Sequence, residues 1–285
     1  MPTNAELVQQ GLIHHRQGQI ALAMDRYTEA LRNNPQDADA LYYVAVVACQ
    51  DGQLQQGIEL ARRSLSFKRG QARAHNLIGQ ALHRQGKAKD ALEAFDEALA
   101  CDIKFAEAYG NRANMLSELG RHAEALSSFD RALAINPQSL NDWLNRGATL
   151  NAMGRADEAI ASYDRALAID PNFGPAHYNR ANTLHEQGRL EEALAGYDRV
   201  IALAPRAPDA HVARAYALEG LKRLDEALAA ADQAAAVAPE LPRAHKARAA
   251  MLAALGRAEE ARTASETAAE LEQKAAKKAE AANPA

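Results

Sequence analysis

Between Asn111 and Pro205 the chain writes nearly the same string three times: NRANMLSELGRHAEALSSFDRALAINP from Asn111, NRGATLNAMGRADEAIASYDRALAIDP from Asn145 and NRANTLHEQGRLEEALAGYDRVIALAP from Asn179. Each copy starts 34 residues after the last, without insertion. A repeat this short cannot bury an apolar face alone, so copies must stack and share a core with their neighbours. That excludes a single globule around one centre, although 285 residues could otherwise form one large domain or two ordinary ones.

Extending the frame outward gives eight repeats, starting near residues 4, 38, 72, 106, 140, 174, 208 and 242. In each, an apolar-periodic segment precedes a glycine and a second follows it, predicting a helix pair. The glycine is Gly18, Gly52, Gly86, Gly120, Gly154, Gly188 or Gly256, placed where a helix ends in a left-handed residue. The seventh repeat has Lys222 there, with Gly220 two places earlier, so its turn is expected to differ. Pro35, Pro137, Pro171, Pro205 and Pro239 stop second helices.

Small residues recur on the first helix as Gly11, Ala45, Gly79, Ala113, Gly147, Ala181, Ala215 and Ala249, and on the second as Ala23, Ala91, Ala125, Ala159, Ala193, Ala227 and Ala261. A ring follows at Tyr27, Phe95, Phe129, Tyr163 and Tyr197. With these residues the chain resembles the tetratricopeptide repeat family, closest in pattern to bacterial and O-GlcNAc-transferase-type arrays. The resemblance implies an all-α, right-handed superhelical solenoid over residues 4–275, with first helices lining a concave groove. Residues 262–282 read as a polar cap, and residues 276–285 as a helical extension ending in a frayed AANPA tail. The second repeat departs furthest, with Gly57, Ala61, Ser64 and Arg69 at the usual Ala, ring, Ala and Pro positions, and is expected to be the softest inner joint.

Where that family places an aliphatic residue on the first helix, five repeats carry Arg112, Arg146, Arg180, Arg214 and Arg248. Sixteen residues before each stands Asp96, Asp130, Asp164, Asp198 or Asp232. Where one partner is missing the other is too: Arg62 holds the aspartate position of the second repeat, and Ile78 answers it in the third. The correlation predicts ion pairs across the joints between repeats.

Composition narrows function by exclusion. A net charge of -4 with dispersed Lys and Arg argues against nucleic acid, which needs a concentrated basic surface. Two isolated cysteines, Cys49 and Cys101, imply neither a disulfide framework nor a zinc site. MPTNAELVQQ lacks the pattern of a signal peptide, and no apolar run is long enough to span a bilayer, so a cytoplasmic location with no membrane partner is expected. His75, His177, His211 and His245 share one repeat position, where Tyr109 and Trp143 stand elsewhere, and read as packing residues. There is no HExxH, Walker loop, G-x-S-x-G or G-x-G-x-x-G, so no metal, cofactor or catalysis is expected.

What is left is the groove. By repeat position its lining includes Asn111 and Asn114, Asn145 and Asn151, and Asn179 and Asn182. Asparagine both donates and accepts, so a row of them suits an extended peptide backbone of varied sequence; this resembles the asparagine-lined O-GlcNAc-transferase superhelix. Nearer the N-terminus the lining becomes aromatic and basic, with Tyr42, Tyr43, Arg73, Asn76, His83 and Arg84 beside Leu12, His15, Arg16 and Val46. The dicarboxylate clamp of chaperone-binding relatives needs Lys and Arg beside the asparagines, a set repeats four to six lack. The sequence thus predicts a non-catalytic scaffold or adaptor binding an extended peptide or partner protein. The alternative is a substrate-presenting accessory of a glycosyltransferase system; no signal for an oligomeric state is present.

Overall fold

A computed structural model describes residues 2–282, with side chains to Lys278. Its helices fall into two compact halves, Met1–Asp142 and Trp143–Ala285. The N-terminal half holds α1 (Asn4–Arg16), α2 (Ile20–Asn33), α3 (Ala38–Gln50), α4 (Leu54–Phe67), α5 (Ala72–Arg84), α6 (Ala88–Cys101), α7 (Ala106–Glu118) and α8 (His122–Ile135). Helix α9 (Leu140–Ala152) begins there and runs on. The C-terminal half continues with α10 (Ala156–Ile169), α11 (Gly174–Glu186), α12 (Leu190–Leu203), α13 (Pro208–Gly220), α14 (Leu224–Val237), α15 (Pro242–Ala254) and α16 (Ala258–Ala282). No strand occurs among the described residues.

Within each half a first helix packs on its own second helix, which packs on the next first helix. Successive first helices also touch (α1 on α3, α3 on α5, α5 on α7; α11 on α13, α13 on α15), whereas among the described contacts successive second helices do not. First helices therefore form the crowded inner layer of each curved stack, and second helices the splayed outer one.

Small residues permit this packing. A Cβ on Gly11, Gly79 or Gly147 would lie 2.4, 2.5 or 2.4 Å from the ring of Tyr27, Phe95 or Tyr163. Those rings are essentially fully buried, as are Leu7, Leu41, Leu116, Leu150, Leu184 and Leu218 on the first helices. Helix pairs thus approach through glycine and alanine while rings and leucines fill the joints.

The turns are made from one pattern. In the fourth repeat Gly120 has φ 72° and the Arg121 amide donates to the Leu116 carbonyl at 2.8 Å, a Schellman-type closure. The seventh repeat was expected to turn differently and does not. Lys222 takes φ 61°, and the Arg223 amide reaches the Leu218 carbonyl at 2.9 Å. Packing of α13 on α14 imposes the left-handed conformation on a lysine.

The second repeat's departures come as a set. Buried Ser64 donates to the Ala38 carbonyl at 2.6 Å and accepts from Gln71 at 3.0 Å, so its hydroxyl is satisfied. Ile78, standing where later repeats have arginine, is buried in one apolar cluster with Ala61, Ile58 and Leu77. Gly57 lets Cys49 sit against α4, since a Cβ there would lie 2.2 Å from Sγ.

The ion pairs form across joints. Arg112 meets Asp96 at 2.7 Å, Arg180 meets Asp164 at 2.7 Å, Arg214 meets Asp198 at 2.6 Å and Arg248 meets Asp232 at 2.7 Å. Arg112 also donates to buried Ser128 of its own repeat at 2.7 Å, so one guanidinium ties α6, α7 and α8 together. The aspartates are about half exposed, which places each pair with surface ion pairs worth about 0.2–1 kcal/mol rather than with buried ones.

Helix α16 buries Ala261, Ala264 and Ala268. Beside them Ala250 and Ala253 of α15 and Ser265 and Ala269 of α16 line an open cleft of about 420 Å³ that Lys246, Arg262 and Glu272 also line, so this face of the expected polar cap mixes alanine with polar and charged residues. The helix runs two residues into the stretch expected to fray; the remainder of that stretch lies outside the described residues.

Candidate peptide-binding groove

The predicted site residues all stand on first helices, the inner layer of each half. In the N-terminal half many of them bond to one another. Asn111 donates to the Asn76 side chain at 3.0 Å, Asn76 donates to Glu107 at 3.1 Å, and Gln80 donates to the same Glu107 oxygen at 3.1 Å. Asn76 is buried, so it orders the network rather than meeting solvent. Asn111 and Asn114 are half-buried.

Tyr42 and Tyr43 meet edge to face with centroids 5.1 Å apart, and Tyr43 stacks on the core ring of Tyr27 at 5.4 Å. Arg73 lies 5.2 Å above the Tyr42 ring and donates to the Tyr43 hydroxyl at 3.4 Å. Burial pushes the Tyr42 phenol up to about 12, so it is neutral at physiological pH. His83 pairs with Glu118 at 2.8 Å, while Arg84 donates to the Cys49 carbonyl at 2.7 Å and acts as a staple between α5 and α3.

In the C-terminal half Asn145, Asn151, Asn179 and Asn182 are half-buried. Asn151 donates to Glu186 at 3.1 Å, and Asn182 accepts from the Tyr197 hydroxyl at 2.8 Å. The backbone carbonyls of Asn145 and Asn179 accept from Thr149 and Thr183 at 2.8 and 3.0 Å, leaving those bonds independent of the asparagine side chains.

The shared histidine position does more than pack. His177, His211 and His245 donate from Nε2 to the carbonyls of Pro171, Pro205 and Pro239 at 3.0, 3.0 and 2.8 Å, stitching each first helix to the proline turn before it. His75 follows Arg69 instead of proline and bonds Glu97 at 2.8 Å. These residues are structural, and the signal was the co-occurrence of histidine with a proline six residues earlier.

One feature of the inner layer was missed in the sequence. A cavity of about 250 Å³ opens between α11 and α13, lined by Tyr178, Asn182, His185, Tyr197, Asp209, Val212, Ala213, Tyr216 and Arg243. Its signal was the exchange of Asn179 and Asn182 for Ala213 and Tyr216 one repeat later. Among the described residues no three His, Cys, Asp or Glu side chains converge as a metal site would, and no helix is long and apolar enough to cross a membrane.

Models described as tetratricopeptide repeat match residues 8–72, 72–105, 106–139, 150–219 and 242–267. The chain belongs to the tetratricopeptide repeat family. No curated protein sequence matches it significantly. Among similar solved structures, a tetratricopeptide repeat protein from Parabacteroides merdae aligns over 83% of this chain and 93% of its own, at 20% identity and TM-score 0.65. PilW, described as a widely conserved type IV pilus biogenesis factor, covers 68% of this chain and 90% of its own, at 25% identity and TM-score 0.61. YrrB, described as having an unusual peptide-binding site, covers 63% and 92%, at 23% identity and TM-score 0.53. Likeness at these identities reports the shared fold.

Proposed function

We propose that the chain is a non-catalytic interaction scaffold that binds an extended peptide, or an extended segment of a partner protein, along the inner layer of first helices in each half. The observation that carries this reading is the recurrence of half-buried asparagines on that layer: Asn111 in one half, Asn145 and Asn179 in the other. An amide side chain can donate to a peptide carbonyl and accept from a peptide N–H, so successive asparagines match a strand-like backbone without reading its side chains. The ordered Asn76–Glu107 network and the Tyr42–Arg73 contact support it, because groups already held in place lose little entropy on binding. Free Cys49 and Cys101 fit action in a reducing compartment such as the cytoplasm.

The test is binding to an array of extended peptides, comparing the intact chain with Asn111→Ala, Asn145→Ala and Asn179→Ala singly and combined. Each substitution is expected to weaken binding several-fold across many sequences. Unchanged binding by the triple variant, with its helix content intact, would end the proposal.

A further inference from the structure

The asparagine pattern stops at the seventh repeat, where Ala213 and Tyr216 stand in place of Asn179 and Asn182, and the cavity between α11 and α13 opens at that change. We infer that this cavity is a specificity pocket for one aromatic side chain of the bound peptide, a reading that rests on the proposed groove.

Its walls are the rings of Tyr178, Tyr197 and Tyr216 with the methyl groups of Val212 and Ala213. Tyr178 and Tyr197 already meet at 6.1 Å and 58°, a tilted geometry in which a third ring can pack edge to face. Two polar contacts of the lining are made within the protein. Arg243 is ion-paired to Asp209, and the Tyr197 hydroxyl donates to Asn182 at 2.8 Å. A charged guest would have to give up its hydration and compete with the Arg243–Asp209 pair, whereas a neutral ring gives up no charge hydration. Burial raises the Tyr197 and Tyr216 phenols, so both walls stay uncharged at neutral pH; Glu186 near Tyr197 and Glu219 near Tyr216 act in the same direction, and Lys246 near Tyr216 acts against it. About 250 Å³ accommodates one side chain and no larger element. Tyr216 is 37% exposed, an aromatic surface that a guest ring would cover.

The experiment uses the full chain and fluorescent peptides of one Gly-Ser-Ala sequence whose central residue is Phe, Leu, Arg, Asp or Ala. The Phe peptide is expected to bind about tenfold or more tighter than the Ala peptide. Tyr216→Ala and Ala213→Asn should erase that preference while leaving the Ala peptide bound; the first trims a partly exposed side chain and the second restores the residue type of Asn179. Asn145→Ala with Asn179→Ala should weaken every peptide alike. Preference for Arg or Asp, or equal binding of Phe and Ala peptides, overturns the pocket while leaving the groove reading intact if the asparagine variants still weaken binding. N-acetylphenylalaninamide, followed by NMR shifts of the tyrosine rings, tests the pocket without the groove. If no peptide binds but this probe shifts Tyr178 and Tyr216, the groove reading falls and the pocket stands; if the probe also fails, the pocket is overturned.

Discussion

Lys222 shows how a stack overrides a single residue. Left-handed backbone costs a side chain about 1–2 kcal/mol, yet Lys222 adopts φ 61° because the contacts between α13 and α14 require the same turn as the glycine repeats. Lys222→Gly relieves the strain and adds entropy to the unfolded chain, so a net gain of about 0.5–1 kcal/mol is expected. Urea denaturation checks it, and a loss of stability would show that the lysine side chain contributes contacts outweighing its backbone. The tyrosines carry a pH dependence of their own. Burial pushes the Tyr27 and Tyr163 phenols up to about 12, above their ordinary value. The folded state therefore holds protons that the unfolded chain releases first, and stability should fall as pH rises from about 10 towards 12. Absorbance at 295 nm alongside circular dichroism should show these phenols ionising together with loss of helix.

The informative contacts between elements are those that recur. Four described Asp–Arg pairs join the second helix of one repeat to the first helix of the next, with aspartates about half exposed. A double-mutant cycle on Asp164 and Arg180 is expected to give a coupling of about 0.5–1 kcal/mol. A value near zero would reduce the pair to two solvated ends. At the start of second helices another motif repeats: Arg121–Glu124, Arg155–Glu158, Arg189–Glu192, Arg223–Glu226 and Arg257–Glu260, each within 2.7 Å. The hydrogen bond from arginine holds each of these glutamates below the usual carboxylate range. A depressed folded pKa contributes stability above the unfolded value that is lost as pH falls through the folded one. Acid denaturation should therefore steepen below about pH 4.5, and replacing all five glutamates by glutamine should flatten that limb while lowering stability at pH 7.

At the scale of the whole molecule, described contacts run only between neighbouring helices and between successive first helices. Damage should accordingly stay near its origin. Tyr27→Ala, which empties a fully buried ring site beside Gly11, is expected to speed amide exchange in α1 to α4 and leave α13 to α16 at the rates of the unaltered chain. Uniform acceleration across all helices would mean a cooperativity that this contact pattern does not supply.

The asparagines on the inner layer could be placed from repeat position, but not what else they touch. Asn76 stands one position earlier in its repeat than Asn111 does in its own, and only the structure shows the first as a buried network member bonded to Glu107 of α7 and the second as its half-buried neighbour. Arg84 read as groove lining and is a staple to the Cys49 carbonyl, because the backbone of α3 lies within its reach. The sequence by itself determined the helix pairs, their 34-residue step and the residues that face the joints, since these depend on spacing along the chain. Only the tertiary structure decided which polar side chains are spent on one another, how exposed the ion pairs are, and that a cavity opens between α11 and α13. Those outcomes depend on distances between helices that are neighbours in space, and a one-dimensional period does not contain them.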